Sequence, residues 1–238
     1  MLGLHKTVLK IKLYQKLKED ILEQLIDGYL LRQPGTFTKH NVKFRPDQNG
    51  LKKEDKNKYS VHSDIDILSI NLKTKMTDVI TCKSWQGGFD VEKHLELLSD
   101  PKKHTTKVSG REVWKSFREL TNPIWSKAFR DKVINESNRK QYNYIIAVTK
   151  LKNSSKVKDF CNNKNFLKLL SDNGKLKVKI SFLTLETIIT TIQNEPQSTA
   201  VESTEIGRFL QLLNAADIKF ERSKNKSYRN EHSLKKSP

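Results

Sequence analysis

Two carboxylates and a lysine are spaced for chemistry on a phosphate. Asp64 and Asp66 open the apolar run Ser63–Leu72 (SDIDILSINL), and Lys83 lies 17 residues after Asp66 in a second apolar run, Asp78–Trp85 (DVITCKSW). In an extended strand alternate residues share a face. Asp64 and Asp66 are therefore expected to point the same way as Leu68 and Ile70, and Val79, Thr81, Lys83 and Trp85 to share a face of the next strand. If the two faces coincide, two carboxylates and an ammonium converge near the strand ends. Hard oxygen ligands of this kind suit Mg2+, which keeps several of its waters, with Mn2+ as the other candidate ion. A lysine beside them can orient an attacking water and balance charge on a scissile phosphate. The bland alternative is a surface Asp-x-Asp with a snorkelling lysine; the order, the separation and the placement on adjacent apolar runs favour the chemical reading.

Neighbouring residues extend this set. Leu13, Leu17, Ile21, Leu25 and Tyr29 recur every four residues, with Leu22, Ile26 and Leu30 beside them, so residues 11–30 read as a broadly apolar helix. At about 100° per residue, Glu19 falls between Ile26 and Leu30 on the apolar face, where an unpaired charge is costly. Glu19 is the first choice for a helix-borne ligand, and Glu23, just beyond the arc, is the reserve. Gln86 follows Lys83 and offers an oxygen if the chain bends at Gly87-Gly88; paired glycines also let a backbone approach a ligand closely. Cys82 is expected to face the other side of the sheet as core, leaving its backbone carbonyl as a candidate metal contact. His62, directly before Ser63, is a candidate phosphate contact, though a lone histidine is a weak signal.

The elements that must position these residues follow from periodicity and punctuation. Thr36–Phe44 reads as a strand and residues 46–60 as a polar, turn-rich connection. A helical run is expected at 90–98 and a loop at 102–108. Ser109 to Glu112 reads as a capping box opening a helix with Val113, Trp114, Phe117 and Leu120. Asn122-Pro123 starts another helix to about residue 134. Tyr142–Thr149 is a strand, a helix runs from Ser154 or Ser155 to Leu170, Leu176–Leu183 is a strand, and helices follow at 185–193 and 204–216. Trp114 and Trp125 read as core. This order predicts an α/β domain with a mixed central sheet, spanning residues 1–218, and a basic arm at 219–238.

The helix at 11–30, then SDIDILSI, then DVITCKSWQGGF, resembles the PD-(D/E)XK nucleases, whose pattern is a helix bearing a Glu, a strand bearing an Asp and a following strand bearing (D/E)-x-K. The resemblance covers about residues 10–90 by motif and extends loosely to about 185. It implies a restriction-endonuclease-like core: a mixed sheet flanked by helices in an αβα sandwich. It implies Asp66 as the metal-binding Asp, with Asp64 as auxiliary, and Lys83 as the motif lysine. The motif carboxylate belongs two residues before Lys83, where this chain has Thr81. Three explanations compete: Asp64 or the helix Glu substitutes, Gln86 supplies an oxygen, or the site is impaired and the protein only binds.

Charge fits a phosphate-bearing partner. The 238 residues carry 45 Lys+Arg against 27 Asp+Glu, a formal net charge of +18, which favours nucleic acid or an anionic surface over acidic partners. No run reaches the roughly 20 apolar residues of a membrane span, no signal-peptide core is visible, and two cysteines make no disulfide framework. A cytoplasmic protein, free or on the nucleoid, is expected. The expected function is a Mg2+-dependent DNA endonuclease of restriction-modification or defence type acting on double-stranded DNA, with homodimerisation implied by analogy. Lys52, Lys53, Lys102, Lys103 and Lys107 would hold the backbone. The alternatives are a nuclease-fold binding protein without catalysis and a structure-selective repair or junction nuclease. No phosphate-binding G-x-x-x-x-G-K-[ST] loop is present.

Overall fold

The computed structural model of the protein describes residues 21–49, 56, 59–194 and 205–218. Helix α1 (Ile21–Leu31) leads to β1 (Thr36–Phe44), β2 (Ser63–Asn71) and β3 (Met76–Lys83). A short strand β4 (Phe89–Asp90) enters α2 (Val91–Ser99). A small hairpin of β5 (Lys107–Val108) and β6 (Arg111–Glu112) precedes α3 (Arg118–Thr121) and α4 (Pro123–Ser137). The chain continues through β7 (Gln141–Val148), β8 (Leu151–Lys152), α5 (Val157–Cys161), α6 (Lys164–Leu170), β9 (Lys177–Thr184), α7 (Leu185–Asn194) and α8 (Glu205–Ala215).

Five strands form one mixed sheet in the order β1-β2-β3-β7-β9. Strand β2 runs antiparallel to both neighbours, while β3, β7 and β9 are mutually parallel. Parallel pairing requires long crossovers, and helices supply them. An apolar layer covers each face. Leu68, Val79, Tyr144 and Ile146 join Phe117, Trp125 and Phe129 on one side. Ile67, Ile80, Cys82 and Ala147 join Leu22, Leu25, Ile26 and Leu30 of α1 and Ile188 and Ile192 of α7 on the other. Burial on both faces explains why β3 and β7 read as nearly continuous apolar runs. The expected α/β architecture with a helix-flanked mixed sheet is therefore present.

Some local expectations are corrected. Ser109 is not a helix cap: Ser109 and Gly110 both have positive φ, +51° and +81°, the signature of a type I′ hairpin turn, and Lys107 pairs with Glu112 across it. The Glu112 carboxylate instead accepts the Trp114 indole N–H at 2.9 Å and pairs with Lys115 at 2.9 Å. The helix expected after it is a 3-10 turn at Val113–Ser116 followed by α3. The long helix expected to Leu170 breaks between α5 and α6, because the Asn163 side chain accepts from Asn165 N and Phe166 N and starts a new helix. The Asn122-Pro123 start of α4 is as expected, with Asn122 Oδ1 accepting from Ile124 N at 2.9 Å and Trp125 N at 3.2 Å. Trp125 is core, and Trp114 is half-buried. The first half of the helix expected at 11–30 and the basic arm at 219–238 lie outside the described residues.

Candidate active site

The site forms where two ladders fail at the same place. The β1–β2 register runs Val42↔Ile65 and His40↔Ile67, but the intervening Asn41 and Asp66 do not pair. Asn41 sits at φ +50°, a left-handed conformation that asparagine tolerates better than most residues. On one side of this point Val42 and Ile65 pack into the larger core layer. On the other, Ile67 packs under α1, and His40 Nε2 lies 3.0 Å from Asp27 Oδ1 of α1. The alternation slips at Asp66, so the regular face expected for Asp64, Asp66 and Leu68 is interrupted. The β2–β3 ladder also ends here, at Ile67↔Ile80.

The Asp66 carboxylate lies in the resulting gap. Its Oδ2 accepts the Cys82 N–H at 2.5 Å, taking the place of a strand carbonyl. It can therefore be reached from both faces of the sheet. From the α1 side, ligand atoms of Glu23, Asp66 and Cys82 all lie within 4.8 Å of one another. From the other side come Thr81 and Lys83: Lys83 Nζ donates to Thr81 Oγ1 at 2.8 Å and stands 5.3 Å from the centroid of the Phe117 ring. Burial pushes the Asp66 carboxyl above the usual range, opposed by Lys83, the Cys82 N–H and the Thr81 hydroxyl, while Asp64 raises it further.

Sequence reasoning missed the pair behind Lys83. Glu119 and Arg118 are buried on α3, at 6% relative exposure each. Glu119 Oε1 accepts the Tyr144 hydroxyl. Burial raises the Glu119 carboxyl, with Lys83 and Asp66 close enough to act on it in opposite senses. Arg118 stacks 4.5 Å from the Trp125 ring centroid and donates to the His62 carbonyl at 3.3 Å. Burial pushes its pKa down, helped by the nearby Arg111, and the carboxylates of Glu119 and Asp64 oppose that. The signal was a charged pair inside the apolar stretch Phe117–Leu120.

The other sequence candidates are distributed as follows. Glu23, the reserve, is the helix carboxylate beside Asp66; Glu19 lies outside the described residues, as do Lys52 and Lys53. Cys82 is buried on the α1 face, with its sulfur near Glu23 and Asp66. Asp64 is exposed and is not part of that triad. Gln86 is exposed in a turn closed by the Gly88 N–H on the Trp85 carbonyl at 2.8 Å. Gly88, at φ +81°, packs against Lys150: a Cβ there would meet Lys150 Cγ at 2.6 Å and its carbonyl at 3.0 Å, whereas a Cβ on Gly87 would meet nothing within 4 Å. Lys103 is tied to Glu96 at 2.5 Å, while Lys102 and Lys107 are exposed. His62 is exposed, and His94 is stacked on Phe89 with ring centroids 4.1 Å apart.

Among the described residues no helix is long and apolar enough to cross a membrane. No protein-family model matches the chain, and neither the curated proteins nor the solved structures give a significant match.

Proposed function

We propose that the protein is a Mg2+-dependent endonuclease of the PD-(D/E)XK type that hydrolyses phosphodiester bonds in double-stranded DNA, in a restriction or defence role. The observation that carries this reading is the meeting of Glu23 from α1 with Asp66 from β2 at the gap in the sheet, with Lys83 of β3 on its other face. The two carboxylates suit a hard cation, and the Cys82 thiol, a soft donor, would stay outside its shell. Two carboxylates within 4.8 Å of one another are enough for an ion that keeps most of its waters, and positive charge beside Asp66 would offset the burial that now opposes its ionisation. Glu23 and Asp66 would hold the ion. Bound there, it would supply an activated water and stabilise charge developing on the phosphate. Lys83 is held by Thr81 and the Phe117 ring, which leaves it placed to orient the attacking water and neutralise a phosphate oxygen.

Thr81 favours a second reading, a nuclease-like domain that binds DNA without cutting. Its hydroxyl stands where the motif has a carboxylate and is engaged by Lys83. Metal titration separates the two, since a lapsed site takes up little Mg2+ or Mn2+. The test of the first reading is nicking of supercoiled plasmid with Mg2+ by the wild-type protein, Asp66→Asn and Lys83→Ala. Loss of cutting in both variants is expected. Equal cutting by all three proteins sinks the assignment.

A further inference from the structure

We propose that the groove between the C-terminal end of β1 and helix α4 is the track along which a duplex DNA backbone runs beside the carboxylate site; this rests on the DNA reading above. The cavity has a volume of about 620 Å3 and is lined by Lys43, Arg45 and His62 on one wall and Lys127 and Lys132 of α4 on the other. Lys43 and Arg45 are exposed and make no ion pair among the described residues. The two carboxylates in the lining are already engaged: Asp131 pairs with Lys127 at 2.7 Å, and Asp47 accepts the Asn49 N–H at 2.9 Å. On the α4 wall Lys127 and Lys132 are paired with Asp131 and Glu136, so Lys43 and Arg45 are the cations left to meet phosphates, and neutralising phosphates is the main source of duplex affinity.

Position separates this groove from mere surface charge. Lys43 is the register partner of Asp64, and Phe44 of Ser63, so the groove opens at the end of the sheet where Asp66 and Lys83 meet. Arg118 fixes its rim by donating to the His62 carbonyl. A second groove, lined by Lys75, Arg139, Lys140, Lys175 and Lys177, is more basic. It lies at the opposite end of the strands, next to Leu72, beyond the end of β2. At about 3.3 Å per residue, that is roughly 20 Å from Asp66. Charge alone selects the second groove; proximity to the carboxylates selects the first.

The test is fluorescence anisotropy of a labelled duplex in EDTA, where no cleavage occurs, read as affinity against salt concentration. Compared are the wild type, Lys43→Ala/Arg45→Ala, and the distal control Lys140→Ala/Lys177→Ala, each checked for an unchanged melting temperature; all four residues are exposed. The groove variant is expected to bind every duplex sequence more weakly and to lower the salt slope by about one unit per cation removed, with the control close to wild type. An unchanged slope in the groove variant, an equal loss in the control, or no duplex binding by the wild type overturns the proposal. Plasmid cleavage that depends on Asp66 alongside an unchanged slope leaves the nuclease reading standing without this track. A lowered slope with no cleavage in Mg2+ leaves the track standing and removes the nuclease reading.

Discussion

The Asp66 carboxylate accepts the Cys82 backbone N–H at 2.5 Å, one step beyond the last β2–β3 pair, Ile67↔Ile80. One side chain thus closes the sheet where the ladder ends and presents an acid to the same gap. Structure and chemistry share this residue, and variants must separate them.

Asp66→Asn keeps an oxygen for the Cys82 N–H, whereas Asp66→Ala leaves that donor without its partner. An unsatisfied buried donor costs about 1–3 kcal/mol. Asp66→Ala is expected to have an unfolding free energy in denaturant titration lower by that amount than Asp66→Asn, which keeps the acceptor. Both should abolish cleavage. A stable Asp66→Ala protein would show that the bond contributes little to the fold.

Glu23→Gln removes a charge from the metal-facing set without emptying its space. Mn2+ binding, followed by calorimetry or by the signal of the free ion, is expected to weaken at least about tenfold, since even supporting residues of a metal site are worth that much. Duplex affinity in EDTA should not change. Unaltered Mn2+ binding would remove Glu23 from the ligand set.

Glu119 links the fold to pH. Burial raises its carboxyl, so the native state holds a proton that the unfolded chain releases, and stability falls as pH rises from the unfolded value through the native one. Glu119→Gln retains an acceptor for the Tyr144 hydroxyl and removes that titration. Melting temperatures measured from acid to neutral pH should fall less steeply for the variant, and the variant should be the more stable protein at neutral pH. Parallel curves would rule out Glu119 as the source of the slope.

Gly88 and Gly87 should part company. Gly88→Ala forces a side chain into a left-handed φ and onto Lys150, a strain of about 1–3 kcal/mol, read as a lower melting temperature. Gly87→Ala meets nothing within 4 Å and should change stability by less than about 0.5 kcal/mol. If cleavage falls in Gly87→Ala at unchanged stability, the open space at Gly87 belongs to the substrate.

Much of this was legible in the residues, because much of it is local. Alternating and continuous apolar runs marked β2, β3 and β7, and the Asn-Pro pair marked the start of α4, since strand period and capping act over a few positions. Asp66 and Lys83 stood out because they interrupt those runs. The hairpin at Ser109-Gly110 was misread because a Ser three residues before a Glu suits a cap as well as a turn, and only the positive φ values at both positions decide between them. Glu119 and Arg118 showed only as a charged pair between Phe117 and Leu120: their importance comes from burial beneath β7, next to Tyr144, which no spacing within α3 encodes. The choice of Glu23 beside Asp66 likewise depended on how α1 lies over the sheet. Helical phase set which residues flank the apolar stripe, but the packing of α1 on the sheet decided which of them lies beside Asp66. Sequence by itself determined the main strands and helices, and the acid and lysine borne by β2 and β3. Tertiary structure decided which of those charges meet, because a carboxylate held by a backbone N–H at the end of the β2–β3 ladder is fixed by contacts far apart along the chain.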